Sequence, residues 1–405
     1  MDDLLYLVHR IPYPPNKGDK IRSYHLLKHL AQSYRVHVGA FVDTDEDWQH
    51  AEALAKLAGG EVKLVPLHPR WASLRSATGL LTGAPLTVPY YHDARIQQWV
   101  DTLLAQYPQA RALAFSSSMA QYLMQYTKVR RVIDFVDIDS DKWRQYAEKK
   151  KWPMRWIYQR EARKLFELEQ NVSRAFSAAT FVSAAEAALF KQMAPDCADK
   201  VFGFSNGVDT DYFSPQQNLV SPYEAEDRVL VFTGAMDYWA NVDAVCWFAG
   251  AVWPAIQHVQ PHARLYIVGS CPSPAVQALA KLKGVVVTGS VPDTRPYIAH
   301  AALALAPLRI ARGIQNKVLE AMAMAKPTVL TPQALEGIAA QPGESVLLAK
   351  DAAEFVQHIC DVLAGHYPGM GELARMHVLE HYSWAKHLGV MEQLLKSGAT
   401  PEASH

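Results

Sequence analysis

Residues 312–327 read RGIQNKVLEAMAMAKP, and the polar front of this apolar stretch holds the groups best placed to do chemistry. A helix starting around Gln315 and Asn316 presents unpaired amides and the positive end of its dipole, a seat for a phosphate. Lys317 falls in the first turn and opposes that dipole at a cost of roughly a few tenths of a kcal/mol. An anion bound nearby would offset the cost. Glu320 stands one turn further in, bracketed by Leu319, Met322 and Ala323. It is either a solvated helix glutamate or a partly desolvated carboxylate that needs a partner, and the sugar hydroxyls of a bound nucleotide would serve. A second stretch, PYPPNKGDKIR (12–22), puts Gly18 where a backbone passes close to a ligand and stiffens the approach with prolines. It reads as a surface turn or as a loop whose Lys17, Asp19, Lys20 and Arg22 meet a phosphate-bearing acceptor. His9 ends the preceding strand and either lines the same region or is structural. From Lys142 to Lys164 the chain carries nine Lys or Arg against two Glu, interleaved with Trp143, Trp152, Trp156, Tyr146 and Tyr158. That mixture suits an anionic membrane surface; a solvated charged helix with its aromatics turned inward competes with it, and single-stranded nucleic acid, which would use the same mixture, fits a chain of zero net charge least.

These groups must be positioned by alternating strands and helices. Short apolar, β-branched runs at 4–8, 35–42, 61–67, 111–116, 130–136 and 178–183 alternate with helical patterns, and the same holds for 228–234, 263–269, 284–289, 302–307, 327–332 and 345–350. Such alternation predicts βαβ units and parallel sheets. Ligands bind such sheets outside the carboxyl ends of the strands, which in the second half are marked by Gly234, Gly269, Gly289, Pro307 and Thr331. The stretch 203–228, rich in Asn, Gly, Asp, Ser and Pro, reads as a linker between two doubly wound domains. A chain of 405 residues, half of them hydrophobic, is long enough for two cores. Lys plus Arg equals Asp plus Glu at 40 each, so no global field recruits nucleic acid. Cys197, Cys246, Cys271 and Cys360 are scattered, with neither metal-ligand spacing nor a disulfide framework. No Asp-x-Asp, paired-His or HExxH spacing at a strand exit suggests a metal site, the Asp-x-Asp of DIDSD (137–141) lying in the other half of the chain, so no metal is expected. The N-terminus lacks the features of a signal peptide, no apolar run is long enough to span a membrane, and a cytoplasmic protein is expected, peripheral on the inner membrane at most.

On these residues the chain resembles a known family. SNGVDTDYFSP (205–215), VFTGAMDYWANVDAVCWFAGAVWP (231–254), LYIVGS (265–270), the run from Val287 to Ile338 and Trp384 look like a retaining GT-B glycosyltransferase of family 4 (group 1). HRIPYPPNKGDKIRSYHLLKHL (9–30) is similar to its glycine-rich acceptor-side loop, and DFVDIDSDKWRQYA (134–147) to the subgroup associated with exopolysaccharide and PEP-CTERM gene clusters. The resemblance implies an α/β, GT-B architecture of two doubly wound Rossmann-like domains facing a central cleft. Residues 1–204 would bind the acceptor, with a C-terminal helix at about 383–397 packing back on them, and 205–382 would bind the nucleotide-sugar donor. Donor contacts would fall to Gly234, Gly269, Gly313, Ile314, Gln315, Asn316, Lys317 and Glu320, acceptor contacts to Asn16, Lys17, Gly18, Asp19 and Arg22, and catalysis to Glu320, Lys317 and Arg312. Glu320 matches the second glutamate of the family's Glu-x7-Glu motif. The first falls at Arg312, a departure that removes the usual carboxylate contact to the donor sugar. The basic pair that clamps the diphosphate after the first strand of this half is also missing, since Gly234 is followed by AMDYWANVDA, and Lys317 with Arg312 would hold the diphosphate instead. The partners implied are a nucleotide-sugar donor and a saccharide or polyprenyl-linked acceptor, with inner-membrane contact through 142–164, no nucleic acid, and neither cofactor nor metal. A GT-B nucleotide-sugar epimerase and a non-catalytic nucleotide-sugar-binding protein share the architecture.

Overall fold

The structure, a computed structural model, describes residues 1–15, 18–148, 151–311 and 314–396. The chain divides into two compact units, residues 1–206 with the chain from 387 onward, and residues 207–386. The first unit is built on strands β1 (Asp2–Val8), β2 (Tyr34–Val42), β3 (Gly59–Pro66), β4 (Arg111–Phe115), β5 (Arg131–Val136), β6 (Ala178–Phe181) and β7 (Val201–Gly203). They form one parallel sheet in the order β3-β2-β1-β4-β5-β6-β7. Leu4 to Val8, Ala112 to Phe115 and Ala178 to Phe181 are all buried. Helices cover both faces of such a sheet, which is why these strands are continuous apolar runs rather than alternating ones.

The second unit repeats the plan with β8 (Arg228–Thr233), β9 (Ala263–Val268), β10 (Val285–Gly289), β11 (Leu303–Ala306), β12 (Thr328–Leu330) and β13 (Leu347–Leu348). The order is β10-β9-β8-β11-β12-β13, again parallel. Every strand read from the sequence is present; the structure adds β7, three residues at a sheet edge. Strand order reverses between β1 and β4 in the first unit and between β8 and β11 in the second. The connections on either side of such a switch run to opposite faces, and the carboxyl ends there leave a crevice for a ligand. The region 203–228 has no strand of its own; its Val208 amide donates to the Tyr382 carbonyl at 2.7 Å. The helix Trp384–Lys396 buries Leu388, Met391, Leu394 and Leu395. From residue 387 it belongs to the first unit, where Arg130 Nε and Nη2 donate to the Leu394 carbonyl at 2.9 and 2.7 Å and Ser33 Oγ donates to Glu392 at 2.8 Å.

Candidate functional site

At the switch point of the second unit, β8 turns at Gly234, whose amide donates to the Val268 carbonyl at 3.0 Å. Gly269 leaves β9 with φ +155°, and a Cβ there would lie 1.6 Å from the Gly234 carbonyl oxygen. The two strand exits therefore touch backbone to backbone, which only glycine permits. The helix Trp239–Ala251 follows the turn, and in its first turn the buried Asn241 donates from Nδ2 to the Ala235 carbonyl at 2.8 Å. On the other side of the switch, the chain leaving β11 is pinned by Thr331, whose hydroxyl donates to the Leu308 carbonyl at 2.6 Å. The helix Asn316–Ala323 then begins with Gln315 as an N-cap that offers it no side-chain acceptor. Its leading amides keep the capacity to bind an anion.

Lys317 reaches from this helix across the switch. Its Nζ donates to Asn241 Oδ1 at 2.6 Å, lies 4.1 Å from the Phe232 ring centroid, and stands 2.9 Å from where a Cβ on Gly234 would be. Burial pushes its pKa down to about 7, with the nearby Glu320 carboxylate opposing the shift. Glu320 itself is pushed up to about 7 by burial, with Lys317 opposing, and accepts no hydrogen bond among the described residues. Among the described residues one group lacks a full counter-charge and the other lacks donors. A ligand that brings an anion to the first and hydroxyls to the second would satisfy both. Ile314, Gln315 and Asn316 lie partly buried at the same helix end. Arg312 and Gly313 lie outside the described residues. Asn241 and Phe232, which seat the lysine, were not found by sequence reasoning; the available signal was an asparagine in the first turn after a buried strand.

In the first unit, Asn16 and Lys17 lie outside the described residues, and Gly18 and Asp19 open the helix Gly18–Leu30. The expectation that Lys20 and Arg22 meet an acceptor phosphate is corrected. Lys20 is buried against Asp47, at 2.9 and 2.8 Å from its two carboxylate oxygens. Arg22, only 1% exposed, donates from Nε to Asp134 Oδ2 at 2.7 Å and from Nη2 to Oδ1 at 3.2 Å. Its Nη1 donates to the Phe204 carbonyl at 3.2 Å and to Asn206 Oδ1 at 2.9 Å, and its guanidinium lies 4.0 Å from the Phe204 ring centroid. Both cations face inward because the helix packs this side on the sheet, and both tie together distant parts of the unit. At the switch point of this unit, His9 stacks on Phe115 with centroids 5.9 Å apart. Asp139 accepts from Ser117 Oγ at 3.2 Å and is pushed up by burial. Glu169, pushed up to about 8 by burial, accepts from the Ser140 amide at 3.0 Å and hydroxyl at 2.6 Å. Of the basic-aromatic stretch, Trp143 and Tyr158 pack on each other at 4.7 Å, whereas Tyr146, Trp152 and Trp156 are exposed. Among the described residues no three His, Cys, Asp or Glu side chains are grouped as a metal site needs.

Comparison with known proteins adds to this geometry. Residues 227–365, the span carrying β8 to β13, match the model of a family described as "Glycosyl transferases group 1". No curated protein sequence matches the chain significantly. Among solved structures it is similar to a sucrose-phosphate synthase from Thermosynechococcus elongatus at a TM-score of 0.67 and 16% identity, over 97% of this chain and 98% of that one. HepE of Anabaena, solved in complex with UDP-glucose, is similar at 0.64 and 16%, over 98% and 99%. WaaG, a glycosyltransferase involved in lipopolysaccharide biosynthesis, is similar at 0.64 and 14%, over 97% and 100%. The fold is GT-B. Two parallel α/β units, each with its own strand-order reversal, account for that likeness over nearly the whole chain.

Proposed function

We propose that the protein is a glycosyltransferase that moves a sugar, with retention, from a nucleotide-sugar donor to a saccharide or lipid-linked saccharide in exopolysaccharide or cell-surface glycan synthesis. The observation that carries this reading is the Lys317–Asn241 bridge across the β8/β11 switch, with Glu320 one turn behind it and without a hydrogen-bond donor among the described residues. The match of 227–365 to the group 1 glycosyl transferases and the UDP-glucose held by HepE support it. In this reading the helix Asn316–Ala323 receives the diphosphate on its leading amides and Lys317, and Glu320 accepts hydrogen bonds from the ribose. In this reading Arg312 would add a bidentate contact to the diphosphate.

Breaking the anomeric C–O bond sends its electron pair to the leaving phosphate. A cation aimed at that oxygen stabilises the developing charge without a metal. The acceptor hydroxyl attacks from the same face and its proton passes to the departing phosphate, which leaves the configuration unchanged and requires no separate base. The enzyme would act in the cytoplasm at the inner membrane surface, held there through 142–164. The test is nucleoside diphosphate release from a panel of UDP-, GDP- and dTDP-sugars, with and without chelator. Release that persists in chelator and is abolished by Glu320→Gln is the expected result. Donor binding without turnover, whichever acceptor is supplied, would refute transfer and favour a binding protein.

A further inference from the structure

The basic-aromatic stretch divides in the structure into spent and unspent groups. Lys142 pairs with Asp137 at 2.5 Å, Arg144 with Asp141 at 2.7 Å and Lys164 with Glu167 at 2.6 Å, and Arg160 is buried. Lys151, Arg155 and Arg163 stay exposed without an ion-pair partner among the described residues. Beside them Trp152 is 83% and Trp156 57% exposed, and Met154 is also open to solvent. A large indole left this far in water is unusual unless something covers it.

A second exposed apolar group belongs to the same unit. The helix Pro69–Ser76 leaves Trp71 72% and Leu74 65% exposed, and Leu80 of the helix Thr78–Thr82 is exposed as well. From Val62 to His92 the chain contains no Asp or Glu, while Arg70 stands exposed next to Trp71. A buried clamp joins the two groups. Arg160 Nη2 donates to the carbonyls of Gly79, at 2.5 Å, and Ala84, at 3.1 Å; the fully buried Glu161 accepts from the Leu86 amide at 2.8 Å and the Thr87 amide at 3.3 Å. Trp156 stands one turn before Arg160 on the helix Met154–Ala175, hence on the same side, and Leu80 follows Gly79 directly.

We propose that the 69–82 segment and the 151–156 end of the helix Met154–Ala175 form one docking surface for an anionic lipid bilayer. Its indoles and leucines would enter the headgroup boundary, and Arg70, Lys151 and Arg155 would meet lipid phosphates. Tryptophan prefers that depth, and exposed apolar side chains ringed by unneutralised cations fit no other abundant surface so well. A second copy of the chain is a poor occupant, because a two-fold pairing would set one basic patch against another without acidic groups to neutralise them. No helix among the described residues is long and apolar enough to cross a membrane, so the contact would lie in the interface. The inference extends the membrane contact proposed through 142–164 to a second segment, and it does not depend on the donor site.

The test is co-sedimentation of the full chain with vesicles of phosphatidylcholine alone and of phosphatidylcholine mixed with phosphatidylglycerol, at low and high salt, with nucleoside diphosphate release measured in parallel. The expected result is binding to the anionic vesicles that weakens with salt and drops about fivefold for each of Arg70, Lys151 and Arg155 changed to Gln. Trp71→Ser with Leu74→Ser, and separately Trp152→Ser with Trp156→Ser, should each lower binding while the thermal transition and diphosphate release in solution stay at wild-type values. Equal binding to neutral vesicles, no binding to either, or binding lost only through the 151–156 pair would overturn the two-part surface. So would concentration-dependent dimerisation abolished by the same substitutions, or competition by single-stranded RNA. Failure here with diphosphate release intact leaves the transferase reading standing, and the reverse holds for loss of release alone.

Discussion

Lys317 makes the strength of donor binding depend on pH in a definite direction. Burial holds its pKa at about 7 in the free protein, below the ordinary lysine value of 10.5. A diphosphate placed against Nζ favours the charged form and pushes the pKa back up, so binding takes up a proton wherever the free lysine is neutral. At pH 6 the lysine is already charged and no uptake is needed. At pH 8 about nine-tenths of the free protein must be protonated on binding, and the dissociation constant rises about tenfold for each further pH unit. Full recovery of the ordinary value would couple the two events by at most ~5 kcal/mol, an upper bound because Lys317 keeps partial access to solvent. Calorimetric titration with UDP from pH 6 to 9, repeated in buffers of different ionisation enthalpy, counts the protons directly. Lys317→Met should bind weakly and lose the pH dependence above 7, whereas Glu320→Gln should retain it. A flat affinity between pH 7 and 9, or net proton release on binding at pH 8, where Glu320 is already ionised, would refute the placement of the phosphate against this lysine.

Two further outcomes follow from the backbone and the buried charges. Asp134→Ala leaves the Arg22 guanidinium buried without its counter-charge and should lower the urea unfolding free energy by about 3–5 kcal/mol; a loss under 1 kcal/mol would mean that solvent reaches the pair. Gly269→Ala meets the Gly234 carbonyl at 1.6 Å and should abolish folded expression, whereas Gly289→Ala, at φ +69° with nothing within 4 Å, should cost only about 1–2 kcal/mol in thermal melts.

The sheets were legible because buried parallel strands appear as uninterrupted apolar runs, and twelve such runs became twelve strands. β7 escaped because Val201–Gly203 is too short to show a period. Lys317 and Glu320 were legible because charges interrupting an apolar helix require a reason. Asn241 was not, since its importance arises only when β8 and β11 become neighbours, and strand order is not written in any local window. Arg22 was misjudged for a related cause: its partners Asp134 and Asn206 lie 112 and 184 residues away, and a charge-rich helix start does not disclose which side turns inward. The same limit applied to the tryptophans, where only the folded helices separate packed Trp143 from exposed Trp152 and Trp156.

The first unit is assembled from two stretches of chain separated by the whole of the second. Leu388, Met391, Leu394 and Leu395 complete its hydrophobic interior, yet they are synthesised after the whole of the second unit. During translation this unit must wait, its greasy groove open, until some 180 intervening residues have emerged. A fragment ending before residue 387 should therefore be sticky rather than merely inactive, and any dissection of the protein into independently expressed halves must carry the closing helix with the amino-terminal piece.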